Sequence, residues 1–445
     1  MDSAGLWMLA SVAALMMATG LPAWLVLVAV ASGFAALGVL LDEFSLRFLA
    51  ILPSRLLGLL ESDLLQALPL YVFMGALLNR LPLADILFRG GARALSRTGA
   101  GAPLAGLGLG ILLAPMNGSV GSSVALLSRT VQPRLDAGGV PLPRAAALVC
   151  VASTLGVVVP PSLVLILLGD AMLRAHTEAT NAVGLVGRII NTQDVFRGAL
   201  IPAAILLGLC IVLAWRANRS TPAAVARTKL PASDWIAGTL AAAVIVTLLG
   251  SVTLGYLYAV EAAASGGVLL ALFGLGTRTL TREVLAAALR DTLAVSGALF
   301  ALLIAATTFT LVLRAYGTDR WIAAMLGQLP GGAEARLVVV LGALLLCAFV
   351  LDAFEMIFVV IPVVMPPLLT VFPDATRAAV LTLLVLQSSF LVPPLGYAVL
   401  MVRQQQARPL PTRELVGALL PYLGAQLLVL GLVAAFPGLI WRPAG

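Results

Sequence analysis

Three groups of residues in this sequence have types and spacings suited to chemistry, and all three sit inside apolar stretches. In "LLAPMNGSVGSSVALLS", residues 112–128, Asn117, Ser119, Ser122 and Ser123 supply amide and hydroxyl groups, and Gly118 and Gly121 allow close approach. If the chain reverses there, a helix starting after the break exposes N–H groups suited to an anion. A helix ending before it exposes carbonyls suited to a cation such as Na⁺. Small residues also let helices pack closely, which is the competing use of the same composition.

The second group is Asp352 and Glu355 in "CAFVLDAFEMIFVVIPVVMPPLL", the only charges between Arg336 and Asp374. A separation of three puts them on one helical face. Carboxylates at membrane depth cost about 2.5–3.5 kcal/mol on insertion scales, so they face a cavity, a cation or a proton path, unless they mark an interfacial loop. The third group is a pair of double prolines, Pro160-Pro161 and Pro393-Pro394. Proline lacks the N–H and displaces its predecessor from α geometry. Each pair therefore either kinks a helix or unwinds it, freeing carbonyls near Thr154, Leu155, Gly156 and Val157 and near Gln387, Ser388, Ser389 and Leu391 as cation ligands.

The elements that must position these groups are spanning helices. The 445 residues are 61% hydrophobic and 11% charged, with mean hydropathy +1.08. Several windows exceed the roughly 18 apolar residues a membrane helix needs, and little period-2 alternation accompanies them. The reading is an all-α polytopic membrane protein, with spans near 5–19, 23–41, 64–79, 101–115, 145–173, 195–215, 235–254, 256–275, 292–314, 337–350, 355–370, 376–402 and 415–440. The N-terminus has no basic region ahead of its apolar stretch and reads as a first span rather than a cleaved leader.

Net charge is +7. The arginines are scattered over short loops without interleaved aromatics, which fits anchoring in a lipid bilayer and excludes nucleic acid as a partner. Cys150, Cys210 and Cys347 have no metal-ligand spacing. His176, the single histidine, lies in "LRAHTEATN", read as a polar loop, and no hydrolase or nucleotide-binding motif occurs. The chain therefore reads as no enzyme. Glu261, a lone acid in "YAVEAAASGG", is either a helix-entry residue or a functional group.

Pro160 and Pro393 are 233 residues apart, as are Pro133 and Pro366, and the same offset carries Ser119 to Asp352 and Ser122 to Glu355. This predicts two copies of one unit: residues 1–215 with a hairpin near 101–130, and 235–445 with a hairpin near 337–370. Residues 216–234 form a basic, cytoplasmic linker.

The segments "LPLYVFMGALL", "APMNGSVGSSVALLSRTVQPRLDAGGVPLPRAAALVCVASTLGVVVPPSLVLILLGD", "VLDAFEMIFVVIPVVMPPLL" and "LQSSFLVPPLGYAVL", in this order, closely resemble the large membrane subunit of TRAP (tripartite ATP-independent periplasmic) transporters. The resemblance covers essentially the whole chain. It implies an elevator-type secondary transporter of the bacterial inner membrane, ion transporter superfamily-like, with two inverted repeats and two re-entrant hairpins. It also implies Na⁺ as coupling ion, a small membrane subunit and a periplasmic solute-binding protein as partners, and uptake of an organic acid or related polar metabolite. Ser119, Ser122, Ser123, Thr154, Gly156 and Asp352 match positions of the family, and with the polar residues at the breaks they give the expected site: substrate contacts at Asn117, Ser119, Ser122, Asp352 and Glu355, and Na⁺ ligands at Ser119, Ser122, Ser123, Thr154, Gly156, Asp352, Gln387 and Ser388. The alternative is a Na⁺- or H⁺-coupled symporter of similar architecture that needs no binding protein. The D-x-x-E of Asp352 and Glu355 resembles a subgroup associated with mannitol and chloroaromatic compounds, and a second carboxylate would repel a plain dicarboxylate.

Overall fold

The computed structural model describes residues 4–61, 63–117, 119–184, 188–219, 231–348, 351–392, 396–406 and 408–441. All regular structure among them is helical. The first half contains α1 (Ala4–Thr19), α2 (Ala23–Leu40), α3 (Leu46–Leu49), α4 (Leu52–Leu60), α5 (Asp63–Arg80), α6 (Leu83–Ala94), α7 (Gly101–Leu113), α8 (Val120–Thr130), α9 (Gln132–Ala137), α10 (Leu142–Leu155), α11 (Leu163–Val183) and α12 (Thr192–Asn218). The second contains α13 (Ala232–Leu254), α14 (Ala259–Gly276), α15 (Arg282–Ala315), α16 (Thr318–Gln328), α17 (Gly332–Cys347), α18 (Ala353–Glu355), α19 (Ile361–Val371), α20 (Ala375–Ser389), α21 (Tyr397–Gln404) and α22 (Thr412–Ala435). Among the described residues, seven helices are long and apolar enough to cross a membrane.

Element starts repeat at the offset of the prolines. Helix α8 begins at Val120 and α18 at Ala353, and α10 begins at Leu142 and α20 at Ala375, each pair 233 residues apart. The expected spans 145–173 and 376–402 are each interrupted, the unwinding alternative for the double prolines: α10 stops at Leu155 and α11 starts at Leu163, while α20 stops at Ser389 and α21 starts at Tyr397. The short helices α6, α9 and α16 were not expected, because six to twelve residues with a polar face do not stand out in an apolar chain. The ends of the 216–234 linker are helical, in α12 and α13. His176 lies inside α11 rather than in a loop, and its Nδ1 accepts the Ile190 N–H at 3.1 Å.

The chain forms two compact units, each drawn from both halves. The first comprises Met1–Leu65, Leu167–Thr192 and Ala294–Ala379. In it α1 packs on α2, and α19 packs on α16 and α17. Arg314 ties α15 to α11 and α19, reaching Glu178 at 2.7 Å and the Pro362 carbonyl at 3.0 Å. Arg377 forks onto both carboxylate oxygens of Glu334, at 2.5 and 2.9 Å.

The second unit comprises Gln66–Ile166, Gln193–Leu293 and Val380–Gly445. Its centre is α10, buried from Ala145 to Leu155 and packed by α7, α8, α21 and α22. Lipid tails are as apolar as leucine, so burial of apolar area does little to bind helices in a bilayer, and close van der Waals contact does more. Glycine supplies that contact here: a Cβ on Gly110 of α7 would lie 2.4 Å from the Ala152 carbonyl oxygen of α10, whereas Gly108, two residues earlier and on the opposite side of the helix, faces open space.

Gly110→Ala should therefore push α7 off α10 and destabilise the detergent-solubilised protein by about 1–3 kcal/mol. Gly108→Ala should leave the melting temperature unchanged or slightly raised. Equal melting temperatures for the two variants would show that this contact contributes nothing.

Candidate functional site

At the first break, Pro115 lies in a single 3-10 turn, Ala114–Met116, that closes α7. The chain restarts as α8 after Ser119, whose backbone is extended (φ −153°, ψ 152°) and whose Oγ accepts the Ser122 N–H at 3.1 Å. This is an N-cap, which satisfies one of the orphan N–H groups of a new helix. The other hydroxyls interlock with it. Ser119 Oγ donates to Ser122 Oγ at 3.0 Å, Ser123 Oγ donates to the Ser119 carbonyl at 3.2 Å, and Asn117 Nδ2 donates to Ser123 Oγ at 3.2 Å. Asn117 and Ser123 are buried, and Asn117 Oδ1 has no partner. Helices α7 and α8, about 20 and 17 Å long at 1.5 Å per residue, are each shorter than the roughly 30 Å hydrocarbon core. Gly118 lies outside the described residues.

The second break has the same local form with different chemistry. Asp352 caps α18, its Oδ1 accepting the Glu355 N–H at 2.8 Å, while Glu355 Oε2 accepts the Asp352 N–H at 2.9 Å. This is a reciprocal capping box. Thus Ser119 and Asp352, which the offset paired, are both caps, and Ser122 and Glu355 both occupy the third helical position. Both acids are half-buried, and among the described residues no basic side chain pairs with either. The backbone continues through a π turn, Met356–Val360, into α19. By length and composition, Ala353–Val371 is sufficient to cross a membrane. Asp352 and Glu355 belong to the first compact unit, and Asn117 to Ser123 to the second.

The helix ends before the double prolines meet within the second unit. Gln387 Nε2 of α20 donates to Thr154 Oγ1 of α10 at 3.0 Å, a bond between positions 233 residues apart. Thr154 Oγ1 in turn donates to the Val151 carbonyl at 3.0 Å. Gln387 is fully buried and its Oε1 has no partner. Gly156 caps α10 and touches the first break: a Cβ there would lie 2.4 Å from the Ala114 carbonyl carbon and 2.6 Å from the Pro115 nitrogen. The expectation of freed carbonyls needs correction. Those of Thr154 and Leu155 accept turn bonds from Val157 and Val158, at 2.9 and 3.3 Å, and that of Val157 accepts Ser162 Oγ at 2.9 Å. Across the second break the Ser388 carbonyl accepts the Leu391 N–H at 3.1 Å, and Ser388 Oγ bonds back to Leu384 at 2.8 Å. Pro393 and Pro394 lie outside the described residues.

The second unit therefore brings Asn117, Ser119, Ser122 and Ser123 together at one break, which Gly156 touches, and joins Thr154 to Gln387. Gly75 is a further participant: a Cβ there would lie 2.7–2.8 Å from the Asn117 backbone. Its glycine in "FMGALL" was visible, but only the contact gives it meaning. Glu261 is resolved as a helix-entry residue, since its carboxylate accepts the Tyr258 N–H at 2.9 Å at the start of α14. Among the described residues no three His, Cys, Asp or Glu side chains group as a metal set. The unpartnered buried atoms at these breaks are amide oxygens, donors suited to a hard cation.

Ser119→Ala should cost about 1 kcal/mol of stability through loss of the cap, while Ser119→Asp, an equally good cap, should restore it. Thermal unfolding in detergent measures both, and an unchanged melting temperature for Ser119→Ala would show that the cap contributes nothing.

Compared with known proteins, residues 10–439 match the family model for the tripartite ATP-independent periplasmic transporter, DctM component. A Haemophilus influenzae protein carrying the name of a TRAP transporter large permease is 22% identical over 419 residues, covering 92% of each chain. The C4-dicarboxylate TRAP transporter large permease protein DctM of Pseudomonas aeruginosa is 25% identical over 407 residues, 90% of each chain. Among solved structures, the Alcanivorax borkumensis YdaH transporter superposes with a TM-score of 0.67 at 17% identity, over 93% of this chain and 96% of that one, a likeness of fold.

Proposed function

Because the chain belongs to the DctM component family of tripartite ATP-independent periplasmic transporters, its large membrane permease subunits, we propose that it carries an organic acid or related polar metabolite inward with Na⁺. The observation that carries this reading is the pair of buried, unpartnered amide oxygens, Gln387 Oε1 and Asn117 Oδ1, at two helix breaks. A buried polar atom without a partner is costly, and a bound cation removes that cost. Thr154, Gly156, Ser123, Ser119 and Ser122 complete the oxygen-rich surroundings in the second unit. The start of α8 offers the N–H groups of Val120 and Gly121 to an anion.

On this reading α7 and α8 form a re-entrant hairpin, each arm too short to cross, and α17 with α18 and α19 forms its counterpart. The two halves are inverted copies, and Asp352 and Glu355 set the charge of the second tip. Na⁺ entry gains about 2.3 kcal/mol per 100 mV of membrane potential before any concentration gradient. Bound Na⁺ would satisfy the amide oxygens and so hold the breaks in their substrate-binding form, which links ion occupancy to transport. A periplasmic binding protein delivers the substrate, and a small membrane subunit supports this chain in the inner membrane, with the linker on the cytoplasmic side. Two acids in the second tip favour a substrate with at most one carboxylate over a dicarboxylate.

The test is uptake of radiolabelled organic acids into proteoliposomes holding this chain and its small membrane partner. Uptake should require both an inward Na⁺ gradient and the cognate binding protein. Full uptake with K⁺ in place of Na⁺ would reject the coupling ion, and uptake without the binding protein would establish a stand-alone symporter instead. Gln387→Leu should raise the Na⁺ concentration for half-maximal uptake roughly tenfold, about 1.4 kcal/mol. Asp352→Asn should weaken the Na⁺ response while leaving thermal stability nearly unchanged, since Asn caps a helix as well as Asp. Normal Na⁺ dependence in Asp352→Asn would show that this acid takes no part in the response to the ion.

A further inference from the structure

We propose that the second unit carries a binding site for one anionic phospholipid, its phosphate held in an arginine-lined cleft beside α6 and an acyl chain lodged in the apolar groove on the other side of that helix. The cleft has a volume of about 920 Å³ and is lined by Arg80, Arg89, Arg93, Arg129 and Arg134, with Asp85 as its single acid. These arginines come from four helices, α5, α6, α8 and α9, so no single run of sequence displays the cluster.

The charges of the cleft do not cancel. Arg80 pairs with Asp291 at 2.5 Å, Arg89 with Asp85 at 2.9 Å and with Asp234 at 3.3 Å, and Arg134 also uses Asp85. Arg129 donates to the Asn79 carbonyl. Five guanidinium groups thus meet three carboxylates, and neither Arg93 nor Arg129 has an acidic partner among the described residues. Guanidinium groups match phosphate oxygens with two-pronged hydrogen bonds, which makes a phosphate the fitting anion.

The groove makes the ligand a lipid rather than a free phosphate. It has a volume of about 270 Å³ and lies between α6, α7 and α13, lined by apolar side chains such as Leu87, Leu104, Leu112 and Trp235. A Cβ on Gly90 or Gly108, which also line it, would meet nothing within 4 Å, so its floor is open. From Asp234 to Ala242 along α13 it runs for about 12 Å at 1.5 Å per residue. Asp234 lines its mouth and pairs with Arg89 of the cleft, so the two depressions share α6 as a wall.

The membrane face fits as well. The cleft lies by the two ends of the basic linker: α13 starts beside it with Asp234, and Trp215 of α12 donates to the Thr98 carbonyl at 3.1 Å just after α6. The positive-inside rule puts that face in the cytoplasm, where basic pockets between helices hold anionic headgroups.

The experiment is native mass spectrometry and thermal unfolding of the delipidated full chain in detergent, titrated with phosphatidylglycerol, phosphatidylcholine or inorganic phosphate. Phosphatidylglycerol should form a one-to-one adduct and raise the melting temperature, while phosphatidylcholine should do neither. The double variant Arg93→Gln, Arg129→Gln should weaken the adduct at least about tenfold. Gly108→Leu, which fills the groove and leaves every arginine in place, should also abolish it. Equal binding of both lipids, or a full adduct in either variant, would overturn the proposal. Inorganic phosphate reproducing the whole thermal shift would also overturn it, by showing a phosphate site without a lipid.

Discussion

Starting a helix inside an apolar protein leaves N–H groups that something in the protein must satisfy, and this chain does so at two places in the same way. Ser119 and Asp352 each stand extended before a new helix and each accept the N–H three residues on. The neighbouring side chains then become usable for other purposes: with the cap made, Asn117 and Glu355 can be placed by hydrogen bonds instead of by packing.

The two ends that precede the double prolines are held by side chains as well as by turns. Thr154 receives Gln387, and Gly156 lets α10 end directly against the Ala114–Pro115 backbone. A side chain at position 156 would separate the Ala114–Pro115 backbone from the helix end, so glycine couples two breaks that are distant in sequence. Gly75 does the same for the other flank of Asn117. The polar interior is thus set by where backbones can touch, and the hydroxyls and amides fill the space that remains.

Much of this was legible in the sequence. Hydropathy gave the helical class, the prolines at one offset gave the pairing of Ser119 with Asp352, and the same residues carried the resemblance to a transporter family. Interruptions were legible where proline marked them, since the double prolines lie in the gaps between α10 and α11 and between α20 and α21, but Leu, Val and Ala do not report how far before the prolines each helix stops. Among the carbonyls that proline was expected to free, those of Thr154, Leu155 and Ser388 are taken up by local turns and that of Val157 by Ser162, a choice of hydrogen-bond partner that no periodicity encodes. The bond between Thr154 and Gln387 was out of reach too, since two residues suited to the same ion need not touch. His176 was misread for a different reason: a run of polar residues on a helix looks like a loop when the rest of the chain is so apolar.

The Thr154–Gln387 bond also bears on the history of such a chain. On the duplicated reading, two identical copies would present the same side chain at both positions, threonine facing threonine or glutamine facing glutamine. Once the copies are joined in one polypeptide the two positions can diverge, and here one side chain is short and hydroxylic while the other is long and carries an amide. The longer partner reaches across, leaving its oxygen free on one side only. A contact that began as symmetric would thereby acquire a direction, which a pair of separate identical chains could not have fixed in sequence.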